Sequence, residues 1–167
     1  MSLDVSSLFS VDGTLDISAN DQIPGLLFLS LSLCAGRINI GSNQELKEVA
    51  IPNFVGGDFN LRISNNPILE VIILPELTYF GGSILIEGNG QLVKFALPKM
   101  FAMFTGASVT IRNSTSLESL SFPALDCNYF ATFILENNPK LGNVTIPKGC
   151  SVLFTSINNP ELKFIEI

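Results

Sequence analysis

Few residues in this chain could carry chemistry, and their types and spacing argue against most of it. The absence of His removes the commonest general base, the Ser-His-Asp triad, and any His-based metal site or switch near neutral pH. A polysaccharide lyase would need acidic and basic side chains clustered on neighbouring segments. Glu87, Arg112 and Glu136 are the available groups, and their separation in sequence reads as too isolated for that. No catalytic, cofactor-binding or metal-binding residue is therefore expected, and the chain reads as a non-enzyme. Cys127 and Cys150 lie 23 residues apart, close enough to one repeat that a disulfide between adjacent coils is geometrically possible. Their offsets from Pro123 and Pro147 differ by one residue, which leaves the pairing open. Cys34 is several coils away and is expected to be a free buried thiol. Asn113-Ser114-Thr115 and Asn143-Val144-Thr145 are acceptor sequences for glycans in a eukaryotic secretory pathway.

The elements that must position these residues follow from a repeat. In the stretch LRISNNPILEVIILP, from Leu61 to Pro75, Asn66 is followed by apolar residues at three, six and eight on, and by Pro at nine on. The pattern recurs from Asn43, Asn89 and Asn138, with Ser114 standing in once, and an apolar pair precedes each anchor, such as Leu61 and Ile63 before Asn66. From Asn20 through Asn43 and Asn66 to Asn89 the step is 23, and the later steps to Ser114, Asn138 and Asn159 are 25, 24 and 21. Each repeat thus holds two short segments of period 2, and a fixed period in this range predicts stacked repeats. The expected fold is an all-β solenoid of about seven coils. At about 4.8 Å per coil the rod would be roughly 30 Å long.

Residues 1–37 read as degenerate coils and residues 38–167 as the regular part of one domain. In the segment Ile23 to Leu33, Leu29 replaces the Pro, and a short helix is the competing expectation. Within the regular coils, Asn20, Asn43, Asn66, Asn89, Asn138 and Asn159 are expected to form a structural ladder, their amides bonding backbone groups that tight turns leave unpaired. Pro ends each second strand. Gly56, Gly57, Gly81, Gly82 and Gly106 are expected at the corner before the next coil. Phe54, Phe80, Phe104 and Phe130 fall at nearly one phase, and an internal aromatic stack is expected.

Composition limits the partners. The net charge of −6 and the charged fraction of 14% leave no basic stripe for a phosphate backbone, so nucleic acid is not an expected partner. Mean hydropathy is high at +0.43, yet apolar residues alternate and no run approaches the ~18 residues of a membrane span. The Met-Ser-Leu start has neither a basic n-region nor an apolar h-region, so no signal peptide is read there. Outward positions normally carry polar residues, so Ile73, Leu85 and Ile134 stand out as a candidate contact face. At the ends, Leu3 with Val5 and Ile165 with Ile167 read as second strands without a polar cap. Open edges of this kind favour end-to-end association between copies, which would propagate as a filament.

The segments NNPILEVIILPELTYFGGSILIEGNGQLVKFALPKM and NSTSLESLSFPAL resemble the receptor L-domain family. That family includes the ligand-binding domains of insulin-type and epidermal-growth-factor-type receptors and repeats of fungal cell-wall glycoproteins. The resemblance, closest to the cysteine-poor cell-surface branch, implies a right-handed β-solenoid (β-helix) of leucine-rich-repeat-like coils that is extracellular or at the cell surface and has no catalytic role. Its partner would be a protein or a glycan, or other copies of itself.

Overall fold

A computed structural model describes residues 3–126, 128, 131–150 and 152–166, the last three through their backbone alone. The described residues form strands and turns with no helix, and all strand pairs are parallel. Up to β13 each full turn of chain passes through three strands, and from β14 on each passes through two among the described residues. A first side holds two-residue strands: β1 (Ser10–Val11), β4 (Leu33–Cys34), β7 (Gly56–Gly57), β10 (Tyr79–Phe80) and β13 (Ala102–Met103). A second side is a continuous seven-stranded sheet of β2 (Thr14–Ser18), β5 (Arg37–Gly41), β8 (Asn60–Ser64), β11 (Ser83–Glu87), β14 (Ser108–Arg112), β16 (Ala131–Glu136) and β18 (Val152–Ile157). The third side is split into β3 (Gly25–Leu27), β6 (Glu48–Ala50) and β9 (Val71–Ile73), then β12 (Lys94–Ala96), β15 (Ser119–Ser121), β17 (Asn143–Ile146) and β19 (Lys163–Glu166). Seven strands with six steps between them make this a β-solenoid of about six turns, slightly fewer than the seven coils expected.

Strand register places like residues on like. Ile17, Ile40, Ile63, Ile86, Ile111 and Leu135 stack in one buried column of the seven-stranded sheet. The anchor residue of each repeat opens a tight turn: the amide of the Leu three residues on donates to its carbonyl, as Leu69 does to Asn66 at 3.1 Å and Leu141 to Asn138 at 3.1 Å. The Pro has a more specific role than stopping a strand. The Phe54 amide donates to the Ile51 carbonyl and the Met100 amide to that of Leu97, both at 3.3 Å, so Pro52 and Pro98 occupy the second position of a four-residue turn, where fixed φ favours the bend.

Several expectations are corrected. Ile23 to Leu33 holds no helix, because stacking β3 and β4 on the next coil overrides the degenerate local pattern. Residues 3–5 form no strand, although Val5 packs against the core and accepts a turn bond from the Leu8 amide at 3.2 Å. Gly56 and Gly57 lie inside β7 rather than at a corner; a Cβ on Gly57 would sit 2.0 Å from the Cys34 carbonyl oxygen. Phe54 and Phe80 are buried but belong to different rows. The row of Phe54 is continued by Leu77 and Met100, whose amides make the equivalent turn bond, whereas Phe80 pairs with Gly57 and Met103. Phe59, which joins the two at centroid distances of 4.8 and 5.9 Å, completes the internal cluster. Phe104 is outside, 47% exposed, against the Tyr79 ring. Phe130 lies outside the described residues.

Candidate functional site: the outer face of the seven-stranded sheet

What fixes this face is the turn that follows each of its strands. Asn43, Asn66, Asn89 and Asn138 are fully buried. The amides of Asn20, Asn43 and Asn66 donate to the Oδ1 of the next Asn in the row at 3.0, 3.0 and 3.2 Å. Each Nδ2 reaches back to a carbonyl of the coil before: Asn43 to Ile17, Asn66 to Ile40, Asn89 to Ile63, Asn138 to Ile111 and Asn159 to Leu135. Ser114 interrupts the row, since its Oγ bonds only the Arg112 carbonyl of its own coil. The residue before each anchor is left-handed, with φ between 55° and 63° at Ala19, Ser42, Asn65, Gly88, Asn113, Asn137 and Asn158. Sequence reasoning missed this row, yet the adjacent Asn-Asn and Gly-Asn pairs were its signal, because Asn and Gly tolerate this conformation best. On the surface it makes a second, exposed amide ladder: Asn137 Nδ2 donates to Asn113 Oδ1 at 3.1 Å and Asn158 Nδ2 to Asn137 Oδ1 at 2.8 Å.

The middle outward row runs Asp16, Asn39, Arg62, Leu85, Thr110, Ile134 and Thr155. Leu85 and Ile134 are half-buried on this face with Thr110 between them. Ile73 is 38% exposed on β9, which belongs to another side of the solenoid, so the three expected contact residues do not form one face. Glu87, Arg112 and Glu136, read from sequence as isolated, occupy consecutive strands at one register position. Arg62 and Arg112 both pair with Glu87, at 3.1 and 2.9 Å. That carboxylate is occupied by two guanidinium groups and makes a charged seam across the middle of the face.

On the N-terminal side of the seam lies a groove of about 630 Å³ spanning β2, β5, β8 and β11. Asn39 Nδ2 donates to Asp16 Oδ1 and to Ser18 Oγ, each at 3.0 Å, and Ser18 Oγ donates to Asp16 Oδ1. These bonds from Ser18 first and Asn39 second hold the Asp16 carboxyl below its usual range. Any stability linked to this shift is present above the ordinary carboxylate pKa and is lost as pH falls through the lowered one. Arg62 Nε donates to Ser64 Oγ at 3.1 Å and Ser83 Oγ to Asn60 Oδ1 at 2.7 Å. Asn39 Oδ1 is buried and accepts no hydrogen bond. The groove thus presents carboxylate, amide, hydroxyl and guanidinium groups that can bind and orient a polar ligand.

The other expected residues are dispersed. Asn113 and Asn143 are both exposed, the first at a corner of the seven-stranded face and the second on β17. Cys150 is disulfide-bonded. Cys127 lies outside the described residues, and Cys34 is a free thiol whose pKa burial pushes up. Leu3 is exposed, Ile165 is part of the β19 backbone, and Ile167 lies outside the described residues. An exposed apolar set not foreseen from sequence, including Leu33, Val55 and Phe101 with the half-buried Tyr79 among them, lines the side of the two-residue strands. No family model, curated protein or solved structure significantly matches the chain.

Proposed function

We propose that this protein is a non-catalytic recognition and scaffold domain of the receptor L-domain type, acting outside the cell or at its surface, with the outer face of the seven-stranded sheet as its contact surface. The observation that supports this reading is the polar groove and charged seam on an otherwise flat, seven-strand face backed by a hydrogen-bonded amide ladder. Rigid elements carrying exposed polar groups pre-organise a binding surface and lower the entropy lost on contact. The disulfide at Cys150 and the exposure of Asn113 and Asn143 fit an oxidising, glycosylating compartment. The test is retention of the labelled chain on intact cells and wall fractions of its source, beside a Thr110→Asp, Ile134→Asp variant. Retention that the variant loses is the expected result. Equal retention of the two removes the part of this face around Thr110 and Ile134 as the recognition surface, and retention of neither removes the reading.

End-to-end assembly is the second reading, favoured by the polarity of the ladder, in which each Asn accepts from the coil before it. A second copy in register would continue that direction, and light scattering over a concentration series tests it. A mass that grows with concentration supports the filament; a constant monomer mass overturns it.

A further inference from the structure

We propose that the groove over β2, β5, β8 and β11 binds a neutral, polyhydroxylated chain, an oligosaccharide. The inference rests on the recognition reading above and names its ligand class. The groove exists because small residues line its floor. Gly41 lies between Ser18 and Ser64, and a Cβ there would come within 3.5 Å of Ser18 Oγ and 3.3 Å of Ser64 Oγ. Ser18, half-buried, and Ser64, buried, therefore flank a glycine floor, with Asp16, Arg37, Asn39 and Arg62 around it.

Charge and chemistry select the ligand. Asp16 offers one negative charge and Arg37 one positive charge, while Arg62 is paired with Glu87. A polyanion would find no excess of cations here. Leu61 is buried, which leaves Leu85 as the accessible large apolar side chain in the lining, so a peptide anchored by apolar residues would find little to hold it. Hydroxyl groups both donate and accept, and the groove supplies both partners: carboxylate, amide and hydroxyl acceptors beside guanidinium donors. Asn39 Oδ1 adds a buried acceptor that bonds nothing. Arg62 is the register neighbour of Asn39 on β8. Equivalent positions recur at about 4.8 Å from strand to strand, which suits a ligand that also repeats.

The full chain, isotopically labelled, would be titrated with laminarihexaose, cellohexaose, chitohexaose and mannohexaose while amide resonances are followed. The expected result is saturable shifts at Asp16, Asn39, Gly41 and Arg62 with one of the four. Asn39→Ala and Arg62→Met should each weaken that binding by about tenfold or more, as for the loss of a buried or charged hydrogen bond. Ile73→Ser, on another side, should leave it unchanged. No shift with any of the four, shifts confined to other sides, or binding indifferent to both groove variants overturns the inference. If the hexaoses fail while cell-surface retention still depends on Thr110 and Ile134, the saccharide assignment falls and the recognition reading stands. If both fail, both fall.

Discussion

At the scale of single residues, the buried amides each tie neighbouring coils together through several hydrogen bonds. Asn66 Oδ1 accepts from the Asn43 amide and from Asn43 Nδ2, and its own Nδ2 donates to the Ile40 carbonyl and to Asn89 Oδ1. Asn66→Ala would leave a buried N–H and a buried C=O without partners, each costing about 1–3 kcal/mol. Urea unfolding should show a loss of about 3 kcal/mol. A loss below about 1 kcal/mol would mean that water replaces the amide and the ladder is not a stabilising device. Ser114 is the converse case. It is fully buried, and its amide donates to Asn138 Oδ1 at 3.1 Å, but its side chain cannot reach the neighbouring coil. Ser114→Asn would supply an acceptor for the Asn89 amide and a donor for the Ile86 carbonyl, matching the rest of the row. A gain of about 1 kcal/mol is expected in the same assay, with slower exchange of the Asn89 amide. Destabilisation would show that the pocket around Ser114 is too tight for the larger side chain. The ladder was legible in the sequence because a polar residue repeated at a fixed interval inside an apolar pattern has few other uses. The groove was not, because Gly41, Ser18 and Ser64 carry no signal until strand register aligns them.

At the scale of elements, register turns a modest sequence choice into a steric requirement. The amides of Arg37, Asn60, Ser83 and Ser108 donate to the carbonyls of Gly13, Gly36, Phe59 and Gly82, which places those four acceptors in one row between the two-residue strands and the seven-stranded sheet. A Cβ on Gly82 would stand 1.9 Å from the Phe59 carbonyl oxygen, whereas one on Gly13 meets nothing within 4 Å. Gly82→Ala should therefore cost about 2–3 kcal/mol through displaced backbone, and Gly13→Ala should lie within about 0.5 kcal/mol of neutral or be slightly stabilising. Thermal unfolding of the two variants side by side checks this, and equal effects would place the cause in the unfolded chain rather than in coil contact. The glycines themselves were visible in the sequence, but their role was read as turning. Close approach between coils depends on which carbonyl faces which Cα, and that follows from three-dimensional register alone. The same limit explains Phe104. Its distance along the repeat resembles that of Phe80, but Met103 is the residue that pairs with Phe80, so Phe104 stands one residue further on, and one residue of phase carries a ring from core to surface.

At the scale of the whole molecule, the solenoid is continuous on one side and divided on another. The seven-stranded sheet runs unbroken from β2 to β18, while the third side is split between β9 and β12. The inward column there changes from Leu26, Val49 and Ile72 to Phe95, whose ring meets Phe122 at 6.5 Å. A ring needs more depth than the aliphatic side chain stacked on it. Ile72, on the strand that borders the break, is 7% exposed, against 0% for Val49 one coil before and 1% for Phe95 one coil after, so packing is looser at the break itself. A linear array whose coils touch only their neighbours opens first at its weakest interface. Because β8, β11 and β14 hold the coils together on the seven-stranded side, opening at this break should be a local fraying of one side rather than separation into two halves. Native-state hydrogen exchange should accordingly find faster exchange at Val71–Ile73 and Lys94–Ala96 than at Leu61–Ile63 and Ile84–Ile86 of the same coils, with both sets converging only as denaturant approaches the global transition. Equal protection of the two sets below that transition would mean that the coils are coupled through the core strongly enough to erase the break. Earlier joint loss of both sets would instead make β9 and β12 the boundary between two independently unfolding units.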